Sequence, residues 1–365
     1  MLRRIIRMVF LLINIAFALC LLAILAAGHI NPNRFPLLST LVLGFPYVLA
    51  INVLFFLFWI VRRKKSALVS GVVLLLSFSA VGNTYRFFRA NPDLEENYKA
   101  VKILTYNTMS SFDYEKYSEK NKDSGYGYIL SQDADIVLLQ EFCTSKKPEH
   151  ITENDINKIF KNYTYQYIWY RNNSVPLQAS GMAVFSKFPI VNKAKIDLSS
   201  EYNSAIYADI VINDSTYRFF NLHLESNKIT ALDIAKINGM IDHPSGKDLT
   251  ETTKFFAQKL GDAAKIRAGQ AEQIAQMVGQ SPYRSVVCGD FNDVPLSYTY
   301  STISKNIADA FAEAGKGLGV TYDRGIYKLR IDYIMHDKYL KTGDLQVDKV
   351  KHSDHYPVHC IMYFP

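Results

Sequence analysis

Apolar residues fill most of the first 85 positions of this chain, and beyond them the pattern changes to short apolar runs set between polar stretches. Three early runs, at about 8–28, 37–61 and 66–85, carry no charge and approach the ~20 apolar residues that a membrane-spanning helix needs. The third is the weakest, because its apolar core at 67–81 holds three serines, so a buried or interfacial helix competes with a span. A cleaved leader competes for the first run, and the two apolar runs behind it favour an anchor. After a polar linker at 91–100, runs at 101–106, 136–139, 182–185, 206–212, 217–222, 285–288, 331–335 and 359–362 read as strands. Helices are predicted at 126–132, 155–160 and 263–279, the last with Ile266, Gln270, Ile274 and Met277 at near-helical spacing. Strands mixed with helices, without strict alternation, predict stacked sheets flanked by helices rather than a doubly wound sheet. The expected organisation is a helical membrane region at 1–90 and an α/β domain at 101–365. A polar stretch at 225–262, containing Pro244, Ser245 and Gly246, reads as a helical or mobile insertion beside the functional site.

Charge sharpens this division. Of the 41 Lys and Arg, ten fall within 1–90, where there is no Asp or Glu, which leaves 31 basic against 34 acidic side chains in the rest. The basic balance of the whole chain therefore says nothing about nucleic-acid binding by the α/β domain. Arg3, Arg4 and Arg7 precede the first run and Arg62, Arg63, Lys64 and Lys65 follow the second, whereas the first loop holds only Arg34. Retention of positive charge on the cytoplasmic side then predicts an internal N-terminus and a domain after residue 85 on the outer face, periplasmic or extracellular. Arg86 and Arg89 count mildly against this unless they snorkel to the outer headgroups. The spacing of the four cysteines resembles no structural zinc site, and Cys288 and Cys360 read as buried thiols.

Five polar constellations end or begin apolar strand-like runs: Tyr106-Asn107-Thr108, Gln140-Glu141, Asn221-Leu222-His223, Gly289-Asp290-Phe291-Asn292 and Ser353-Asp354-His355, with Asp332 in addition. Each alone reads as a turn or a solvated residue. Together they supply what phosphate ester hydrolysis requires: carboxylates for a hard cation, an imidazole with a carboxylate partner to activate water, and donors for phosphoryl oxygens. An imidazole titrates near neutrality, so His355 is expected to accept a proton without a large shift.

This ordered set, with Gly181-Met182-Ala183-Val184-Phe185-Ser186-Lys187 and Arg330-Ile331-Asp332-Tyr333-Ile334, resembles the endonuclease/exonuclease/phosphatase superfamily over essentially all of 100–365. The resemblance implies a DNase-I-like four-layer α/β sandwich of two stacked mixed sheets flanked by helices. It also implies Mg²⁺, with Mn²⁺ as an alternative, held mainly by Glu141 with Asn107 close by and Asp354 assisting the metal or the histidine. His355 would be the general base, Asp332 its orienting partner, and Asp290 and Asn292 would position water and phosphate, although Asp290 is an alternative base. His223 would stabilise phosphoryl oxygens or protonate the leaving group. Lys187 reads equally as a loop residue near the cleft or a solvated lysine.

The superfamily spans nucleases, sphingomyelinases and phosphatases of inositol phosphates and lipids, so fold does not choose the substrate. The histidine in Asn221-Leu222-His223 points away from the abasic-site endonucleases. The slightly acidic domain disfavours duplex DNA, and the predicted anchor places it beside lipid phosphates. The expected partners are the bilayer and a lipid or small-molecule phosphate ester, with no obligate protein partner. An anchored exported nuclease stays open, with Lys146, Lys147, Lys161, Arg171, Lys187 and Arg324 as basic candidates and Trp169, Tyr170 and Tyr202 as stacking candidates. A catalytically inactive membrane scaffold is the third reading, against which the retained polar set argues.

Overall fold

The computed structural model describes residues 1–89, 92–94, 97–110, 124–171, 178–200, 203–230, 232, 233, 235, 239, 246–324 and 327–365. They form two compact units, one of residues 1–84, 226–272 and 294–302, the other of residues 85–225, 273–293 and 303–365.

In the first unit, α1 (Leu2–Ala27) is followed by α2 (Pro36–Leu41), a 3-10 turn (Val42–Gly44) and α3 (Phe45–Val61). Leu2–Ala27 and Pro36–Val61 are long and apolar enough to cross a membrane. The third apolar run differs from a single straight span, because α4 (Ala67–Leu76) and α5 (Phe78–Thr84) meet at a 53° bend. Ser77 sits at the break and donates its hydroxyl to the Val73 carbonyl at 2.7 Å, a back-bond that competes with the helical ladder. Asn14, Asn52 and Ser70 are fully buried among apolar side chains such as Leu21, Ile24 and Trp59, while Leu54, Leu68, Leu75 and Phe78 face outward. Asn14 donates to Ser70 at 2.6 Å and accepts from the Trp59 indole at 3.0 Å, and Asn52 donates to the Phe17 carbonyl at 3.1 Å. Small polar residues inside and apolar residues outside are what helices surrounded by lipid require.

The second unit holds two six-stranded mixed sheets stacked face to face. In the first, the order is β13 (Lys341–Val347), β14 (Val358–Phe364), β1 (Lys99–Asn107), β2 (Ile136–Ser145), β4 (Gln178–Ser186) and β3 (Tyr165–Tyr170). In the second it is β5 (Ile190–Ile196), β6 (Ser204–Ile212), β7 (Ser215–His223), β8 (Arg284–Asp290), β12 (Asp332–Asp337) and β9 (Ile307–Asp309). A small hairpin, β10 (Tyr322–Arg324) and β11 (Tyr327–Leu329), completes the strands among the described residues. Period-two alternation divides the central strands between two cores. Ile103, Ile136 and Leu138 face Ile206, Phe219, Val286 and Ile334 between the sheets. Leu104, Val137 and Leu139 face the other way, onto Tyr126 and Ile129 of α6 (Gly125–Ser131) and Ile156 and Ile159 of α7 (Glu153–Ile159). Cys143, Cys288 and Cys360 are buried free thiols.

Between β7 and β8 the expected helix at 263–279 is the end of a longer one, α8 (Gly246–Gly279). It takes in part of the predicted insertion, whose residues 231, 234, 236–238 and 240–245 lie outside the described residues. Within the helical unit, Glu272 of α8 accepts from Asn31 at 2.8 Å and from the Tyr298 hydroxyl at 2.6 Å.

Two polar side chains join the sheets through the apolar layer. Gln140 of β2 donates its amide to Thr105 at 2.9 Å and to Asn221 of β7, across the interface, at 2.6 Å. Asn221 in turn donates to the carbonyls of Leu139 and Ala183, both at 3.0 Å. Both residues are fully buried, so removing either leaves partners unsatisfied. Gln140→Met and Asn221→Leu should each lower stability by about 1–3 kcal/mol, and the double variant should fall short of their sum by at least about 0.5 kcal/mol. Denaturant titration of the full chain in detergent measures this, and strict additivity would show that the two amides do not act as a pair.

Candidate active site

Chain direction gathers the polar constellations at one edge of the sandwich. The carboxyl ends of the parallel pair β1 and β2 and of the parallel pair β7 and β8 point to this edge. Strands β12 and β14 run antiparallel to β8 and β1, so the residues at or before their amino ends arrive there too. Asn107 pairs in register with Gln140, His223 with Asp290, and Asp332 with Asp290.

Local backbone features aim the side chains. Between Leu139 and Phe142 strand β2 carries one residue more than β4 opposite, and Glu141 adopts φ 49°. This bulge turns Gln140 into the interface and frees Glu141 for the edge. Gly289 has φ +124°, and a Cβ there would lie 2.1 Å from the Leu222 carbonyl oxygen, so only glycine lets β8 close against β7 immediately before Asp290.

Asn107 donates its amide to Glu141 Oε1 at 3.1 Å and to Asp290 Oδ2 at 3.0 Å, linking one sheet to the other. Asp290 also accepts from the Asn292 backbone at 2.8 Å and from its side-chain amide at 3.3 Å, and that same amide donates to the Leu224 carbonyl at 2.9 Å. His223 Nε2 stands 3.6 Å from Glu141 Oε1 and 3.8 Å from Asp290 Oδ2. His355 Nδ1 lies 2.9 Å from Asp332 Oδ2, and its Nε2 is 3.7 Å from Asp290 Oδ2. Ser353 ties this loop to β1 by donating to the Asn107 carbonyl at 2.9 Å. All eight predicted residues, Asn107, Glu141, His223, Asp290, Asn292, Asp332, Asp354 and His355, thus converge.

Lys187 does not join them. It pairs with Asp133 at 2.7 Å and Asp135 at 3.3 Å, just ahead of β2 and at the opposite end of that strand from Glu141. Because β4 is antiparallel to β2, the residue that follows it returns to the far edge. Two contributors escape sequence reasoning. Thr321 Oγ1 accepts from the backbones of Ile331 at 3.0 Å and Asp332 at 3.1 Å, and Tyr322 sets its ring edge-on to His355 with centroids 5.0 Å apart. Neither belongs to a local motif.

The electrostatics departs from the sequence expectation for His355. Burial pulls its imidazole down, but the carboxylates of Asp332, Asp290 and Asp354 outweigh this and push the pKa up to about 10. Without a bound cation the ring is therefore an imidazolium at neutral pH. Burial, with Asp332 adding to it, raises Asp290 above the ordinary carboxylate range, and burial, with Glu141 contributing, raises Asp354.

These residues fit a divalent cation. Asp354 Oδ1 is buried without a hydrogen-bond partner among the described residues, and its other oxygen has Arg324 3.9 Å away. Ligand atoms of Asp290, Asp332 and His355 all lie within 4.8 Å of one another. Clustered carboxylate oxygens in excess of nearby cations are the donor set of hard ions such as Mg²⁺ and Mn²⁺.

Residues 116–355 match the sequence model of the Endonuclease/Exonuclease/phosphatase family. The chain belongs to this family. Residues 7–84 match a domain of unknown function (DUF8431). Compared with curated proteins, the sequence has no significant match. Similar solved structures include D. rerio TDP2 complexed with a single-strand DNA product, at 13% identity and TM-score 0.48, covering 72% of this chain and 98% of that one. An endonuclease/exonuclease/phosphatase from Beutenbergia cavernae matches at 16% identity and TM-score 0.49, covering 72% and 71%. The human Nocturnin catalytic domain with bound sulfate matches at 16% identity and TM-score 0.49, covering 73% and 95%. Members of the family hydrolyse phosphoester bonds, and the two stacked sheets seen here are its fold.

The raised His355 pKa makes a linkage prediction for chelator-treated protein. The imidazolium should contribute stability fully below the unfolded value of 6.5 and lose it as pH rises through about 10. His355→Gln removes this contribution, so the difference in melting temperature between wild type and variant should shrink from pH 6 to 10.5. A difference independent of pH would refute the assignment.

Proposed function

We propose that this family member is a membrane-anchored, divalent-metal-dependent phosphoesterase acting on a lipid or small-molecule phosphate ester, with its catalytic unit on the outer face of the cytoplasmic membrane. The observation that carries the reading is the convergence of Glu141, Asp290, Asp332, Asp354 and two imidazoles at one edge of the sandwich, with Asp354 Oδ1 unpartnered among the described residues. Glu141, Asn107 and Asp354 would hold the ion, as Mg²⁺ or Mn²⁺. A bound divalent cation supplies neutralisation of charge on the phosphoryl oxygens.

The protein's own groups do the rest. Asp332 fixes the ring of His355 through Nδ1, and His355 Nε2 and Asp290 Oδ2, 3.7 Å apart, form the pair to which the attacking water gives its proton. Within that pair His355 is the general base once positive charge nearby lowers its pKa, and Asp290 takes the proton while the ring is an imidazolium. Asn292 acts by holding Asp290 in place, since its amide is committed to Asp290 and the Leu224 carbonyl. His223 faces the same space from β7 and donates to a phosphoryl oxygen or to the leaving group.

The helical unit supports the anchored part of the reading through its apolar exterior and the hydrogen-bonded Asn14, Asn52 and Ser70 inside it, and the cytoplasmic bias of Arg3, Arg4, Arg7 and residues 62–65 supports the orientation. Tethering raises the effective concentration of lipid phosphates at the site, and the acidic balance after residue 90 disfavours polyanionic DNA.

Full-length protein in detergent with Mg²⁺ should hydrolyse bis-p-nitrophenyl phosphate and phospholipid vesicles, and a chelator should abolish both activities. Glu141→Gln and His355→Ala should each lower kcat by at least about 100-fold. Variant-sensitive cleavage of plasmid DNA in place of lipid would replace this reading with an anchored nuclease, and no variant-sensitive hydrolysis at all would leave a scaffold.

A further inference from the structure

Large apolar side chains are exposed where the chain leaves its last apolar helix. Phe87, Phe88 and Leu318 are 66%, 83% and 56% exposed, and Tyr85 sets its ring edge-on to Phe87 with centroids 4.7 Å apart. All four belong to the second unit. Arg86 and Gly317 exchange both backbone hydrogen bonds, at 2.9 and 2.8 Å, so residues 85–88 form a strap beside the loop 315–319. In this antiparallel register Tyr85 stands opposite Leu318. The strap is tied down again at Arg89, whose guanidinium donates to Asp344 of β13 at 2.7 Å.

Leu318 cannot withdraw into the core. The underside of its loop is already filled, because a Cβ at Gly319, which has φ +59°, would lie 2.3 Å from the buried ring of Phe311. Charge does not choose the partner of this surface either. Arg86, Arg89 and Lys316 stand in the two segments, against Asp344 and, in the adjoining sequence, Asp93, Glu95 and Glu96. What distinguishes the surface is apolar area.

Chain continuity says what covers it. Tyr85 follows directly on Thr84, the last residue of α5. The three steps from Thr84 to Phe87 span at most about 11 Å, comparable with the roughly 5–7 Å of headgroup region on each side of a bilayer. A chain that leaves lipid at Thr84 therefore carries these side chains through the interfacial layer. Tyrosine collects in that layer, and exposed Phe and Leu on a peripheral surface bury themselves at its boundary with the acyl chains.

We propose that Phe87, Phe88 and Leu318 form a membrane-docking surface of the catalytic unit, seated at the headgroup–acyl boundary of the leaflet on its side of the membrane. The proposal rests on the anchored part of the reading above and goes beyond it. The helices tether the unit, whereas this surface holds one side of it down on the lipid. That side is the one with β9 and β13, since the short helix Ala310–Ala314 leading into the loop packs on both strands. Strand β5 lies at the other end of its sheet from β9.

The test uses the full chain with Cys20→Ala, so that the remaining native thiols are buried. Single cysteines are introduced by Phe88→Cys, Leu318→Cys, Val191→Cys on β5 and Leu54→Cys on α3, all at exposed positions, and labelled with the fluorophore NBD. In phosphatidylcholine nanodiscs holding one copy, 5-doxyl phosphatidylcholine should quench the labels at 88 and 318 at least about twofold more than the label at 191. Adding Leu318→Asp should reduce quenching at 88 by about half or more. Leu318 is exposed, so its replacement leaves the core in place, and the melting temperature checks this. The label at 54, read with the deeper 12-doxyl lipid, reports the anchor separately. Quenching at 54 with 88 and 318 quenched no more than 191 overturns the docking surface and leaves the anchor standing. Quenching at 88 that ignores Leu318→Asp overturns the joint action of strap and loop. Shielding of 88 and 318 from aqueous iodide only in discs holding two copies, without lipid quenching, assigns the face to a second copy and overturns the lipid partner. No quenching at 54 overturns the anchored reading and the surface with it.

Discussion

The site depends on hydrogen bonds that cross between the two sheets. Asn107 and Glu141 belong to one sheet, while His223, Asp290 and Asp332 belong to the other. An apolar interface alone would let two sheets slide or rotate slightly, because dispersion and burial have no preferred direction. The bonds from Asn107 to Asp290 and from Gln140 to Asn221 fix one register between them. Buried amides of this kind are costly to leave unpaired, which makes misaligned packings unfavourable in a way that apolar side chains cannot.

That constraint also explains the electrostatics. Holding Glu141, Asp290, Asp332 and Asp354 around one cleft concentrates negative charge that burial then intensifies. The folded chain tolerates it by protonating His355 and by the donors of Asn107 and Asn292. A divalent cation would meet the same demand.

Much of this was legible in the sequence where the physics is local. Strands β1, β2, β7 and β8 announce themselves because they are buried on both faces and end in polar residues. Strands β3, β5, β9, β10, β11 and β13 do not: β3 and β5 are edge strands, β5 with Asn192, Lys193 and Lys195 exposed, three of the others have three residues each, and Gly343 and Asp344 interrupt β13. The third apolar run has the composition of a span, but Ser77 breaks it. At the site, motif residues at strand ends were readable, whereas Thr321 and Tyr322 act through tertiary contacts only. The charge state of His355 was not readable either, because it sums carboxylates contributed by residues 290, 332 and 354. Lys187 shows the same limit, since proximity to a motif does not reveal which end of a sheet the chain has reached.

The bulge at Glu141 has an evolutionary consequence. A non-glycine residue held in the left-handed region costs of order 1 kcal/mol or more, and the bulge imposes that conformation whatever side chain stands there. Glycine or asparagine would occupy position 141 with less strain, so on the proposed role of Glu141 as a metal ligand a better-folded but silent protein lies a single substitution away. Selection for abundance and selection for chemistry therefore pull this position in opposite directions, and a survey of variants that reads expression alone would score the loss of Glu141 as an improvement.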